Sequence, residues 1–159
     1  MLRRNDVICH VYQGKGRETI LDENGMVRKG IMDARERGVL FDASNGCNNY
    51  DLEISRKAMK QGFIPDIISS DINTAGFYLQ PLHSLPRIMS KYLDMGMCLE
   101  RVLDAVTVCP ARLIGREELA SLDMAAPRMW PFLSWWKRRY ATGTGMDIHL
   151  QGIRLLYPR

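Results

Sequence analysis

No stretch of this chain is apolar for long enough to span a bilayer, and Met1-Leu2-Arg3-Arg4-Asn5-Asp6 is not followed by a signal-peptide core. The sequence is therefore read as a cytoplasmic protein with no membrane partner. Cys9, Cys47, Cys98 and Cys109 form no C-x-x-C pair, which argues against a zinc knuckle and a disulfide framework. Gly14-Lys15-Gly16 lacks the spaced Gly-Lys-Ser/Thr and the following helix of a phosphate loop. The net charge is +4, but much of the excess sits in Arg3, Arg4 and Lys137-Arg138-Arg139, and no basic stripe is interleaved with aromatics. Nucleic acid is therefore not an expected partner.

What is present is an alternation of short apolar runs and amphipathic stretches. The 159 residues suffice for one modest domain, with an ordinary hydrophobic fraction of 46%. Asp6 to Tyr12 reads as a strand, and Ile20 to Val27 as a surface excursion turning at Asn24-Gly25. Met26 to Arg37 has helical spacing, closed by Gly38. Val39-Leu40-Phe41-Asp42-Ala43 is a second buried strand, Asp51 to Gln61 a second helix stopped by Gly62, and Phe63 to Asp71 a third strand. Strand, helix, strand, helix, strand predicts a parallel sheet of βαβ units, hence an α/β fold. An irregular crossing from Thr74 to His83 follows. Helices are then expected at Ser84 to Met95, with Pro86 in the first turn, and at Leu99 to Val108. Cys109-Pro110 is expected to break the second, before a short helical turn at 111–115 and a last one within 116–122.

The chain is organised around Pro65-Asp66-Ile67-Ile68-Ser69-Ser70-Asp71-Ile72-Asn73. A short apolar strand ends there in a carboxylate, after which the sequence turns polar. In a parallel barrel, polar residues at the C-terminal ends of strands carry the chemistry. A carboxylate placed there can bind a metal or move a proton, and can equally begin an Asx-turn. His10 sits late in the first strand. As a lone residue it fits a hydrogen-bonded structural histidine as well as a ligand.

Four segments in this order and spacing give a more specific reading: Asp6-Val7-Ile8-Cys9-His10-Val11-Tyr12-Gln13-Gly14, Val39 to Gly46, Gly62 to Asp71, and Thr107-Val108-Cys109-Pro110-Ala111-Arg112-Leu113-Ile114-Gly115. Together they resemble the last part of the metal-dependent amidohydrolase superfamily, in its deacetylase and dihydroorotase-like branch, over roughly residues 5 to 123. The resemblance implies an α/β fold, the C-terminal part (about strands six to eight with their helices) of a (β/α)8 TIM-type barrel, with one or two zinc ions at the C-terminal face. It implies that His10 binds metal, and that Asp71 binds metal and acts catalytically by shuttling a proton. Asn45 stands where many relatives carry a histidine after strand seven, a weak candidate for substrate binding. The implied substrates of the complete enzyme are small acylated or cyclic amide molecules.

The same resemblance leaves gaps. The early His-x-His pair, the bridging lysine or carboxylate and the strand-five histidine have no counterpart, since His83 and His149 follow no matching strand. Met1 falls where strand six begins, so roughly five of eight strands are unmatched. The expectation is a chain inactive alone, with weak or absent zinc. The alternative is a non-catalytic subunit completing a barrel with a separate N-terminal half. Further copies of this chain are the other partner the resemblance leaves open.

From about residue 125 the pattern changes, dividing the chain into a partial barrel (1–124) and an aromatic, basic tail (125–159) holding Trp130, Trp135 and Trp136. Met129-Trp130-Pro131 requires the codons ATG-TGG-CCN. Read one base earlier they permit Asp-Val-Ala, and Phe132 to Lys137 likewise permits Val-Phe-Glu-Leu-Val-Glu. The shifted words alternate as a strand should. The tail is therefore expected to be an out-of-frame translation and poorly ordered; as encoded, its bland reading is a segment packing on the barrel or touching a membrane.

Overall fold

A computed structural model of the chain describes residues 1–14, 16, 18–46, 48–77 and 84–121. For 75–76, 132–141 and 147–156 it describes the backbone alone. The element order is β1 (Val7–Ile8), α1 (Lys29–Glu36), β2 (Leu40–Phe41), α2 (Leu52–Lys60), α3 (Thr74–Phe77), α4 (Leu85–Asp94), α5 (Leu99–Val106), α6 (Val108–Leu113), a 3-10 turn (Glu117–Ala120), β3 (Phe132–Ala141) and β4 (Asp147–Leu156).

β1 and β2 pair in parallel, Val7 with Leu40 and Ile8 with Phe41, and Asp42 makes a parallel bridge to Ile67. The expected strand–helix–strand–helix order is present, but of the third expected strand, Phe63 to Asp71, only the single bridge at Ile67 forms. The strands are shorter than the sequence suggests, for a physical reason. His10 (φ 58°), Ser44 (φ 41°) and Asp71 (φ 47°) each adopt a left-handed backbone at the end of their strand, where an extended ladder cannot continue. α1 begins at Lys29, later than the periodicity implies. A tight excursion holds the preceding residues, with Leu21 bridging Val27 antiparallel and Arg28 N–H donating to Ile20 O at 2.8 Å.

The helix ends follow local chemistry. Asp51 caps α2, its Oδ1 accepting from Glu53 N–H (2.8 Å) and Ile54 N–H (3.0 Å). Gly38 (φ 86°) and Gly62 (φ 82°) end their helices in the conformation only glycine adopts freely. The break expected at Cys109-Pro110 falls instead at Thr107 (φ −129°, ψ −70°). Pro110 sits in the first turn of α6, where a missing N–H costs no helical bond. Thr74–Phe77 of the expected irregular crossing is a single helical turn, and residues 78–83 lie outside the described residues.

The core gathers Tyr12, Phe41, Phe63, Tyr92, Val11, Val39, Val102, Ile88 and Leu93 between the strands and α1, α2, α4 and α5. Phe41 and Phe63 meet edge to face at 5.1 Å, and Arg35 lies over Phe63 at 4.0 Å. The Arg35 guanidinium donates to Ile64 O (2.5 Å) and reaches Asp66 (3.4 Å). Its planar fork thus covers the ring and closes the N-terminal end of the third strand.

The stretch expected to be poorly ordered contains β3 and β4. They pair antiparallel from Phe132–Leu156 to Ala141–Asp147, and β4 runs beside α4. Residues with high strand propensity, Trp135, Trp136, Tyr140, Ile148 and Ile153 among them, populate both spans. Trp130 lies outside the described residues.

Candidate active site at the strand ends

The parallel register brings the C-terminal ends of the three strand stretches to one side, and with them His10, Ser44-Asn45-Gly46 and Asp71. His10 Nδ1 lies 3.8 Å from Asp71 Oδ2, with the two side chains 35% and 31% exposed. Nδ1 is buried and has no hydrogen-bond partner. A buried imidazole nitrogen left unpaired beside a carboxylate is costly unless another group completes it. Both residues also hold a left-handed backbone, which costs about 1–3 kcal/mol each and concentrates at functional sites.

Gly46 makes room for this arrangement. A Cβ there would lie 2.2 Å from Asp71 Oδ2 and 3.3 Å from the Asp71 backbone oxygen. The Asp71 carboxylate therefore rests directly on the backbone that follows β2.

Asp42, at the end of β2, points into a buried knot. It accepts from Ser44 N–H (3.0 Å), Ser44 Oγ (2.8 Å) and Ser69 Oγ (2.9 and 2.8 Å). Asp42 thus joins the second and third strand ends and has its acceptor capacity used within the chain.

Asn45 is fully buried. Its Nδ2 donates to Ser69 O at 2.9 Å, and its Oδ1 accepts from Lys91 Nζ (2.5 Å) and the Tyr92 hydroxyl (3.2 Å). Lys91 was not legible as a site residue. Its Nζ sits 3.3 Å from the centre of the Tyr50 ring, and burial pulls its pKa down from 10.5 to about 7. The Tyr92 hydroxyl is held well above the usual tyrosine range, chiefly by burial. A mid-helix lysine gives no sequence signal, and Tyr50 sits in a loop without periodicity.

Two of the donor types a zinc site uses are thus together, an imidazole nitrogen and a carboxylate. Among the described residues, no three His, Cys, Asp or Glu side chains cluster closely enough to hold a metal ion. The donors fit in kind and fall short in number. Also among the described residues, no helix is long and apolar enough to cross a membrane.

The chain is 28% identical over 124 residues to the deacetylase Atu3266 of Agrobacterium fabrum, covering 78% of this chain and 30% of the relative. It is 28% identical over 114 residues to a deacetylase of Brucella anthropi, covering 72% of this chain and 28% of the relative. An adenine deaminase structure superposes with a TM-score of 0.79 at 20% identity, covering 98% of this chain and 43% of that one. A dihydroorotase structure superposes at 0.71 and 24% identity, covering 97% and 40%. The chain is thus distantly similar to curated deacetylases. The fold is mixed α/β and matches 43% of the adenine deaminase structure and 40% of the dihydroorotase structure. The chain spans about a third of the length of the curated relatives it matches, and no protein-family model matches it.

Proposed function

We propose that this chain forms the strand-six-to-eight part of a zinc-dependent amidohydrolase barrel that hydrolyses amide or ester bonds of small acylated or cyclic amide molecules, and that alone it is catalytically silent. The observation that carries this reading is the orphaned Nδ1 of His10 facing the Asp71 carboxylate at 3.8 Å, both on left-handed backbone. His10 and Asp71 would hold one side of the ion, which supplies Lewis acidity at the strand ends. Asp71, resting on Gly46, would accept a proton and return it to the leaving group. Asn45 has both polar ends occupied, so its contribution narrows to shaping the wall of the site.

A second reading, a non-catalytic subunit completing a barrel with a separate N-terminal half, is favoured by the edge of β1. Among the described residues, Val7–Ile8 pairs on one side with β2 and has no strand on the other. An open parallel edge is a template for another strand.

Zinc titration with a competing chelator tests the first reading. Two ligands predict weak binding that is lost on dialysis and weakened further in His10→Ala and Asp71→Asn. Stoichiometric zinc that survives dialysis and disappears in His10→Ala would mean that a full ligand set forms within these 159 residues. Zinc binding untouched by either substitution would remove His10 and Asp71 from the site.

A further inference from the structure

We propose that Lys91 is a positioning residue for the strand-end site, a clamp that acts through Asn45 to fix the backbone on which Asp71 rests. The inference builds on the site reading above and extends it to a helix residue outside the strand ends. Lys91 Nζ reaches Asn45 Oδ1 at 2.5 Å, and the Asn45 amide donates to Ser69 O at 2.9 Å. The backbone N–H of Asn45 donates to the same Ser69 oxygen at 3.0 Å. One carbonyl of the third strand stretch is therefore gripped twice by one residue, whose remaining polar atom is gripped by α4. The next residue, Gly46, is the surface against which the Asp71 carboxylate lies.

The arrangement around the amine has an unusual composition. Among the described residues no carboxylate pairs with Lys91. Its neighbours are the Tyr50 ring at 3.3 Å, the Tyr92 ring at 5.5 Å and the Asn45 oxygen. A lysine that served only solubility would extend to water, since taking an ammonium out of water is costly. Here the cost is offset in part by the electron-rich face of Tyr50 and by a charge-assisted bond to a buried amide oxygen. Tyr50 is itself fixed, edge to face with Tyr12 at 6.1 Å and with its hydroxyl on Ser55 Oγ at 2.8 Å. The clamp has a rigid seat at both ends, as a positioning device requires.

The test is backbone amide hydrogen exchange on the full chain by NMR, with the Asp71 carboxyl carbon shift read in the same samples. Lys91→Met keeps the stem and removes the donor. It is expected to speed exchange at Asn45 N–H by at least about tenfold, the size of losing one good hydrogen bond. Ala43 N–H, which donates to Ile67 O at 3.0 Å two residues upstream in the same ladder, should change by less than about threefold. The Asp71 carboxyl shift should move as well. Ile88→Val, a buried substitution on the same helix, controls for general loosening and should leave the Asn45-to-Ala43 ratio and the Asp71 shift unchanged. If Lys91→Met does not fold, Lys91→Gln, with a shorter neutral donor, should give the same pattern in weaker form. An unchanged Asn45 rate, or equal acceleration at Ala43 and Asn45, overturns the proposal. The readout needs no metal, so failure of zinc binding would count against the metal reading and not against the clamp.

Discussion

The Asp71 carboxylate lies against Gly46 so closely that an added Cβ would fall 2.2 Å from its Oδ2. Gly46→Ala must therefore turn that carboxylate away from His10. The backbone oxygen of Asp71, 3.3 Å from the same point, leaves little room for accommodation by the main chain. The Asp71 side chain is partly exposed, so the stability cost should be modest, about 1 kcal/mol. The Asp71 carboxyl carbon shift should change clearly, and zinc affinity should fall as far as it does in Asp71→Asn. A Gly46→Ala protein with an unaltered Asp71 shift would show that the close approach does not control the site.

Part of this site could be read from the amino acids, and part could not. His10 and Asp71 stand out because a titratable residue closing an apolar run is unusual, and the structure does bring them together. The parallel order followed from alternating runs, and the C-terminal ends of α1 and α2 from Gly38 and Gly62, whose backbone preferences act locally; Asp51, expected inside the second helix, caps it instead. Strand length was not legible, because the left-handed turns at His10, Ser44 and Asp71 carry no residue signature; none of the three is glycine. Thr107 as the helix break was missed because Pro110 is the louder signal, although proline is tolerated in a first turn. Lys91 was invisible because its partners Asn45 and Tyr50 are long-range in sequence.

The Tyr12 hydroxyl donates to Phe63 O at 2.9 Å in a fully buried setting, tying the first strand to the third. Tyr12→Phe removes the donor and leaves a buried carbonyl oxygen unpaired, so it should cost about 1–3 kcal/mol. Phe41→Ala, which empties the space beside Phe63 and Arg35, should cost about 3–5 kcal/mol. Urea denaturation with an unchanged m-value would measure both. A loss for Tyr12→Phe below a few tenths of a kcal/mol would mean that water replaces the hydroxyl, contrary to the burial seen here.

Lys91 makes stability depend on pH in a defined direction. Burial lowers its pKa from 10.5 to about 7 in the folded chain, while the unfolded chain keeps the ordinary value. Below about pH 7 both states are protonated, and the folded state bears the full cost of the buried charge. Between about 7 and 10.5 the unfolded state binds more protons, so Lys91's contribution to stability rises with pH across that window. The Tyr50 face favours the charged form, and Lys91 is only partly buried. The gain should therefore be at most a few kcal/mol. Comparing denaturation of wild type and Lys91→Met from pH 6 to 10 isolates the effect. The difference should shift toward wild type as pH rises, and a flat difference would show that the amine keeps its ordinary pKa.

The stretch from about 125 onward gives the last prediction. We propose that it is read out of frame, on the strength of codons forced by Met129, Trp130, Trp135 and Trp136 and of the alternating words they permit one base earlier. The curated relative from Agrobacterium aligns over 124 residues, 78% of the chain, whereas the adenine deaminase structure covers 98%. The backbone of β3 and β4 is paired, with β4 beside α4, which sets up a direct contest. Side chains that were never selected for this position contribute little, so deleting residues 125–159 should leave the melting temperature within a few degrees and raise soluble yield. A native hairpin buries apolar area worth roughly 25 cal/mol per Å², and its removal would lower both sharply. Restoring the shifted frame by one base should raise stability above both other forms if the proposal is right. The nucleotide sequence across codons 110 to 159 supplies the independent check. If truncation is strongly destabilising and frame restoration gives no gain, β3 and β4 are a structural element in the encoded frame and the frameshift is excluded.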